Sequence, residues 1–180
     1  MKVLILAAGY ATRLYPLTLT QPKPLLPVAG KPMIDYVLDN LAPIPGIDRV
    51  YIVTNAKFAG HFQAWADQYR ATKAKLDFTI VNDGSTDDSN KLGAIGDLNL
   101  VLEREKVDDD LIVVAGDNLF PTMDFLCWPS SVSPRLRVGL SSSACPQPGR
   151  VRGTHFAGLA VSAVRGEIFR PDSARAMNSV

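Results

Sequence analysis

The residues with the means to do chemistry gather at the amino terminus, in Met1 to Pro32, MKVLILAAGYATRLYPLTLTQPKPLLPVAGKP. An apolar run, Val3 to Leu6, passes through Ala7, Ala8 and Gly9 into a polar turn holding Thr12 and Arg13. Ten residues after Arg13 comes Lys23, fixed between Pro22 and Pro24. Gly9 has no Cβ, so a ligand can come close to the backbone there. Free amides past a strand end, an arginine and a rigidly held lysine are the donors that phosphate oxygens require. These residues would receive a polyanion.

The same stretch resembles the nucleotidyltransferases that join a nucleoside triphosphate to a sugar 1-phosphate with release of pyrophosphate. Their signature runs AAGxGTRLxPxT and then PKPLLPVxxKP; the matching residues here are Ala7 to Thr18, Pro22 to Pro27, and Lys31-Pro32. Ala11 departs from the pattern, standing where glycine is usual, and alanine tolerates a positive φ poorly. The resemblance implies that Leu6, Ala7, Ala8, Gly9 and Thr12 border the nucleotide. It gives Arg13 the β- and γ-phosphates, and Lys23 the α-phosphate and the incoming sugar phosphate. Asp117, in Val114-Ala115-Gly116-Asp117-Asn118, matches the family's metal-binding aspartate. Mg²⁺ is the implied cofactor, a cation that prefers hard oxygen ligands and keeps several waters. Asn82-Asp83-Gly84 and Leu92 to Gly96 resemble the segments bordering base and sugar, with Gly93 admitting the base edge to backbone hydrogen bonds. The Ala-Ala-Gly opening is more like the uridylyl-, thymidylyl- and cytidylyl-transferring members than the guanylyl-transferring ones, so UTP or dTTP is the expected donor.

Other residues invite a function and do not qualify. Asp108-Asp109-Asp110 reads as a solvated loop, as charge runs usually are. His61 lies on an expected helix and His155 in the tail, neither with a partner that would make it a base. Phe62 and Trp65 read as core. The Gly9 turn is no dinucleotide fingerprint, because Ala11 and Leu14 stand where glycines are needed, and Gly30-Lys31 lacks the remainder of a P-loop.

The elements that must position these residues follow from periodicity. Val3 to Leu6, Val50 to Val53, Phe78 to Val81 and Leu111 to Val114 read as buried strands. Helical spacing of Met33, Ile34, Val37, Leu38 and Leu41 predicts a helix that stops before Pro43. Phe58, Phe62, Trp65, Ala66 and Tyr69 mark a second helix, and Leu92 to Glu103 a third. Alternating strands and helices imply right-handed crossovers and a mostly parallel sheet, a Rossmann-like three-layer α/β/α fold. Ligands in such sheets bind beyond the carboxyl ends of the strands. The segments Gly9 to Arg13, Asn82 to Asp88 and Ala115 to Asn118 should therefore share one rim.

Composition bounds the rest. A chain of 180 residues, 47% hydrophobic with 19 basic and 18 acidic groups, suits one folded domain and argues against disorder or general nucleic-acid binding. No apolar run approaches the roughly 20 residues needed to cross a bilayer. The start lacks the pattern of a signal peptide, so a cytoplasmic protein is expected. Cys127 and Cys145 have no metal-ligand spacing. The charges are unevenly placed: residues 1–125 carry 12 basic and 16 acidic groups, whereas 126–180 carry seven and two. All eight lysines lie at or before Lys106. Residues 1–125 read as the nucleotide-binding core, and 126–180 as an irregular tail, frameshifted or otherwise foreign. Within that tail Pro129 to Pro148 reads as loop, and Val151 to Val164 holds two short strand patterns. The sugar-binding half of the resembled family is not recognisable there. A catalytically impaired nucleotide-binding or regulatory module is accordingly the rival to an enzyme, and a homo-oligomer is compatible with either.

Overall fold

A computed structural model describes residues 1–72 and 76–118, together with the strand backbones at 137–140 and 159–163. The strands are β1 (Lys2–Leu6), β2 (Pro27–Val28), β3 (Lys31–Pro32), β4 (Arg49–Thr54), β5 (Asp77–Asn82), β6 (Leu111–Ala115), β7 (Arg137–Leu140) and β8 (Leu159–Ala163). The helices are α1 (Met33–Leu41), α2 (Ala59–Thr72) and α3 (Gly93–Arg104). One sheet takes the order β5-β4-β1-β6-β8-β7, and β2 and β3 form a separate hairpin. β5, β4, β1 and β6 are parallel, while β8 runs antiparallel to β6 and to β7.

Alternation along each strand sends successive side chains to opposite faces, and both faces are covered. On one, Val3, Ile5, Val50, Ile52, Phe78, Ile112 and Val114 meet Ile34, Val37, Leu38 and Leu41 of α1 and Phe62, Trp65 and Tyr69 of α2. On the other, Leu4, Tyr51, Val53, Val81, Leu111 and Val113 meet Val101 and Leu98 of α3. Each fully buried aliphatic or aromatic side chain here stabilises the fold by about 1.5–3 kcal/mol. Phe62 and Trp65 are core as expected, with the indole N–H donating to Asp35 Oδ1 at 2.9 Å. α1 stops two residues short of Pro43. The fold is the Rossmann-like three-layer arrangement read from the sequence.

Register decides where the loops leave. Leu6 pairs level with Val53 on one side and Ala115 on the other, and Thr54 lies level with Asn82. The segments after β1, β4, β5 and β6 therefore depart from one line along the carboxyl edge. Asp108 to Asp110 belong to the opposite edge, where Asp109 pairs with the terminal amine at 2.9 Å.

One reading changes and one element is added. β7 lies inside Pro129 to Pro148, which reads as loop; Val138 and Leu140 alternate there with Arg137 and Gly139, but four residues among prolines and serines are too few to show a period. The β2–β3 hairpin was not legible either: its two-residue turn is Ala29 and Gly30, both at positive φ (49° and 81°), and alanine is not a usual sign of such a turn. Of the two strand patterns in Val151 to Val164, β8 is one; residues 151–158 lie outside the described residues, as do Cys127, Cys145 and His155.

Candidate functional site

Beyond the carboxyl edge of β1 the chain is tied down before it opens. Ala7 N–H donates to Val53 O at 2.9 Å and Gly116 N–H to Leu6 O at 3.0 Å, continuing the sheet by one residue on each side. Asn55, fully buried, then spans the gap. Its Nδ2 donates to Ala8 O at 3.0 Å, and its Oδ1 accepts from Phe58 N–H at 3.1 Å. Gly9 comes next, exposed, with open space where a Cβ would stand.

The turn that follows is shaped by Ala11, which adopts φ 48°, ψ 42°. Its carbonyl accepts from the buried Thr18 hydroxyl at 2.9 Å and from Leu14 N–H at 2.9 Å. Alanine thus occupies the left-handed conformation that the usual glycine would adopt freely, held there by two hydrogen bonds. Thr12 to Leu14 form one 3₁₀ turn and present Arg13 to the cleft. Arg13 makes no ion pair or hydrogen bond among the described residues.

Lys23 opens a second 3₁₀ turn, Lys23 to Leu25, whose Pro24 and Leu25 are buried. Pro24 packs onto Gly116: a Cβ at Gly116 would lie 3.3 Å from Pro24 Cγ and 3.0 Å from Ile5 Cγ2. The missing side chain lets the two loops touch. Lys23 Nζ then donates to Asp117 Oδ2 at 2.7 Å, each side chain about one-third exposed (32% and 36%).

Arg13, Lys23 and Asp117 line one cleft of 730 Å³ with Leu6, Ala7, Ala8, Gly9 and Gly93. Gly93, φ 75°, begins α3 and also faces open space. The other two residues expected at the site are not in the cleft wall. Asn82 spends its Oδ1 on Gly84 N–H at 2.8 Å, closing its own turn. Thr12 is exposed, and its carbonyl accepts from Tyr15 N–H at 3.2 Å.

Sequence reading passed over Asn55 and Asp97. Asp97 lies one turn into α3, four residues before the buried Val101, and lines the cleft while only 5% exposed. Its Oδ1 is buried with no hydrogen-bond partner. Burial, and then the neighbouring Asp83 carboxylate, push its pKa up from 3.8 to about 6. Asp83 itself is well supplied, accepting from Ser85 Oγ–H at 2.7 and 2.9 Å and from Ser85 N–H at 2.8 Å. An acid at an apolar position of a helical face was the available signal. Lys91 also borders the cleft and pairs with Asp88 at 2.9 Å.

Backbone amides, the cations Arg13 and Lys23 and the carboxylates of Asp97 and Asp117 thus gather at the carboxyl edge of a mostly parallel α/β sheet. Residues 2–127 match the model of the family described as nucleotidyl transferase, and the chain belongs to that family. A protein of Sulfolobus acidocaldarius provisionally named a mannose-1-phosphate guanyltransferase is 37% identical over 127 residues, 69% of this chain and 32% of its own length. The UTP–glucose-1-phosphate uridylyltransferase AglF of Haloferax volcanii is 28% identical over 67% of this chain and 44% of its own. A UDP-glucose pyrophosphorylase solved with UDP-glucose superimposes with a TM-score of 0.52 at 27% identity, covering 68% of this chain and 48% of that one. The inositol-1-phosphate CTP transferase of T. maritima, at 18% identity and TM-score 0.59, shares the fold. The chain thus spans between a quarter and a third of the first curated relatives it matches and about half of the solved structures. Among the described residues no helix is long and apolar enough to cross a membrane.

Proposed function

We propose that the cleft binds a nucleoside triphosphate, with UTP or dTTP favoured, and transfers its nucleoside monophosphate to a sugar 1-phosphate. A phosphate oxygen of the sugar attacks the α-phosphorus; the new P–O bond forms as the bond to the bridging oxygen breaks, and pyrophosphate leaves with that electron pair. No side chain forms a covalent bond in such a step, so positioning and charge neutralisation do the work. The guanidinium of Arg13, free among the described residues, offers planar paired donors to the β- and γ-phosphates. Lys23 sits where it reduces repulsion between the α-phosphate and the incoming anion. Alternation of Ala7, Ala8 and Gly9 at the strand end keeps the approach clear of side chains.

Among the described residues no group of three or more His, Cys, Asp or Glu gathers to hold a metal by itself. Asp117, part-exposed in the cleft with its Oδ2 held by Lys23, would be the residue to hold Mg²⁺ by its carboxylate, since the ion prefers hard oxygen ligands. When bound there, Mg²⁺ would neutralise charge developing on the phosphates. A cytoplasmic setting, where nucleoside triphosphates and sugar phosphates occur together, goes with this reading.

The observation that carries the reading is the meeting of Arg13, Lys23 and Asp117 on one cleft. Incubation with UTP or dTTP, glucose 1-phosphate and Mg²⁺ should release pyrophosphate; nucleotide binding without release would favour a binding or regulatory module instead. No nucleotide binding would end both.

We also propose residues 1–125 as the working core and 126–180 as a segment of different origin, on the evidence of the charge break and of a family match ending at residue 127. The pairing of β8 with β6 shows that part of this segment joins the sheet. Translation of the coding DNA in the other two frames beyond codon 125 tests the idea, which fails if neither restores lysine-bearing strand patterns.

A further inference from the structure

Asp97 is a buried carboxyl group with an unsatisfied oxygen, in the wall of a cleft, and the phosphate chemistry above does not use it. Its place in the fold says what it would meet. It lies against Asp83, which follows β5, while Asp117 follows β6. The strand order β5-β4-β1-β6 puts three strand spacings between those ends, about 14 Å. That is the reach of an extended nucleoside triphosphate. With phosphates at Lys23 and Asp117, the other end of the molecule points across β1 toward β4, β5 and the first turns of α3. Gly93, open to the cleft, lies one helical turn before Asp97.

We propose that Asp97 reads the nucleobase, accepting the ring N–H of uracil or thymine and rejecting cytosine. The inference rests on the nucleotide reading of the cleft. An ionised carboxylate only accepts hydrogen bonds. Uracil and thymine present N3–H to it; cytosine presents a bare N3, which would set lone pair against lone pair in a desolvated site. A proton shared with Asp83 would also satisfy Asp97. A carboxyl that titrates at about 6 is ionised above neutrality, though, and is then left without a donor until a ligand supplies one. Guanine carries the same lactam N–H at N1, so the shared chemistry is an N–H flanked by a carbonyl.

The test is equilibrium binding of UTP, dTTP, CTP and GTP to the full chain with Mg²⁺, above neutral pH, for wild type, Asp97→Asn and Asp97→Ser. Wild type should bind UTP and dTTP at least about tenfold more tightly than CTP, the worth of one hydrogen bond to a charged group. An amide or hydroxyl can donate as well as accept, so both variants should close that gap to within about threefold. GTP bound as tightly as UTP would extend the site to either ring system; GTP rejected would confine it to the pyrimidine imide. An unchanged UTP:CTP ratio in a folded variant overturns the assignment, as does a wild type that binds CTP as well as UTP. Lys23→Ala separates the two readings, because it should weaken every nucleotide alike and keep the ratio. Unweakened binding in that variant overturns the phosphate reading, and failure of wild type to bind any of the four overturns both.

Discussion

Replacing Asp97 by asparagine should make the protein more stable at neutral pH. The folded chain holds Asp97 at about 6 against an ordinary value of 3.8, because burial and the Asp83 carboxylate oppose its charge. Between those values the folded state binds more protons than the unfolded one, so stability falls as pH rises from about 4 to 6 and stays low above. The full difference corresponds to about 3 kcal/mol at neutral pH, on the order of 1.4 kcal/mol for each tenfold change in proton affinity. Asparagine fills the same volume without ionising. It keeps one poorly bonded polar group, a cost of about 1–3 kcal/mol that also weighs on the protonated acid. Urea unfolding followed by far-ultraviolet circular dichroism, at pH steps from acid to neutral, reads the difference directly. Asp97→Asn should exceed wild type by on the order of 2–3 kcal/mol at neutral pH, and the two should converge near the acid end. A difference that does not change with pH, or a variant weaker than wild type at neutrality, would refute the reasoning. A gain would mean that the native acid is kept at the expense of stability, as residues serving a ligand often are.

Lys23→Ala should abolish most pyrophosphate release, by about 10²–10³-fold, with a stability loss under about 1 kcal/mol, since its ion pair is part-exposed; a large drop in melting temperature would reassign it to structure. Asp117→Asn should weaken the dependence of nucleotide binding on Mg²⁺, and an unchanged metal titration would remove Asp117 from that role. Ala11→Gly should stabilise the chain by about 0.5–1 kcal/mol, because relief of the left-handed strain exceeds the added freedom of the unfolded chain; thermal melting showing no gain would mean that the turn carries no strain. Asn55→Ala should cost about 1–3 kcal/mol by leaving Ala8 O unpaired in a buried site and Phe58 N–H with only its 3.2 Å bond to the residue 55 carbonyl, and unfolding within about 0.5 kcal/mol of wild type would show that neighbouring groups or water replace the lost bond.

The three-layer core was legible because its strands are short unbroken apolar runs and its helices repeat at 3.6 residues, both consequences of burial. Arg13, Lys23 and Asp117 stood out for a different reason, their places in the paired amino-terminal motif and just past a strand, and the structure brings all three to one cleft. Asn55 was hidden because its role is to bond two backbone groups, which needs only a polar residue after a strand and leaves no spacing to detect. Asp97 escaped notice because an acid near a helix start is ordinary until the fold shows that its face is the inward one. Asn82, expected beside the base, gives its amide oxygen to Gly84 N–H, a local bond that its residue type alone does not reveal. β7 shows the limit of periodicity, since a four-residue edge strand alternates only twice.

The contact between Lys23 and Asp117 has a bearing on how the cleft discriminates among small ions before any substrate arrives. Each charge answers the other at 2.7 Å, while Arg13 in the same cleft has no ion pair among the described residues. A lone anion can meet Arg13 and leave the pair intact, whereas a lone dication at Asp117 competes with the Lys23 ammonium. On the proposed reading a triphosphate arriving with its metal would offer Lys23 an anion and Asp117 a cation together, so neither charge would be left alone.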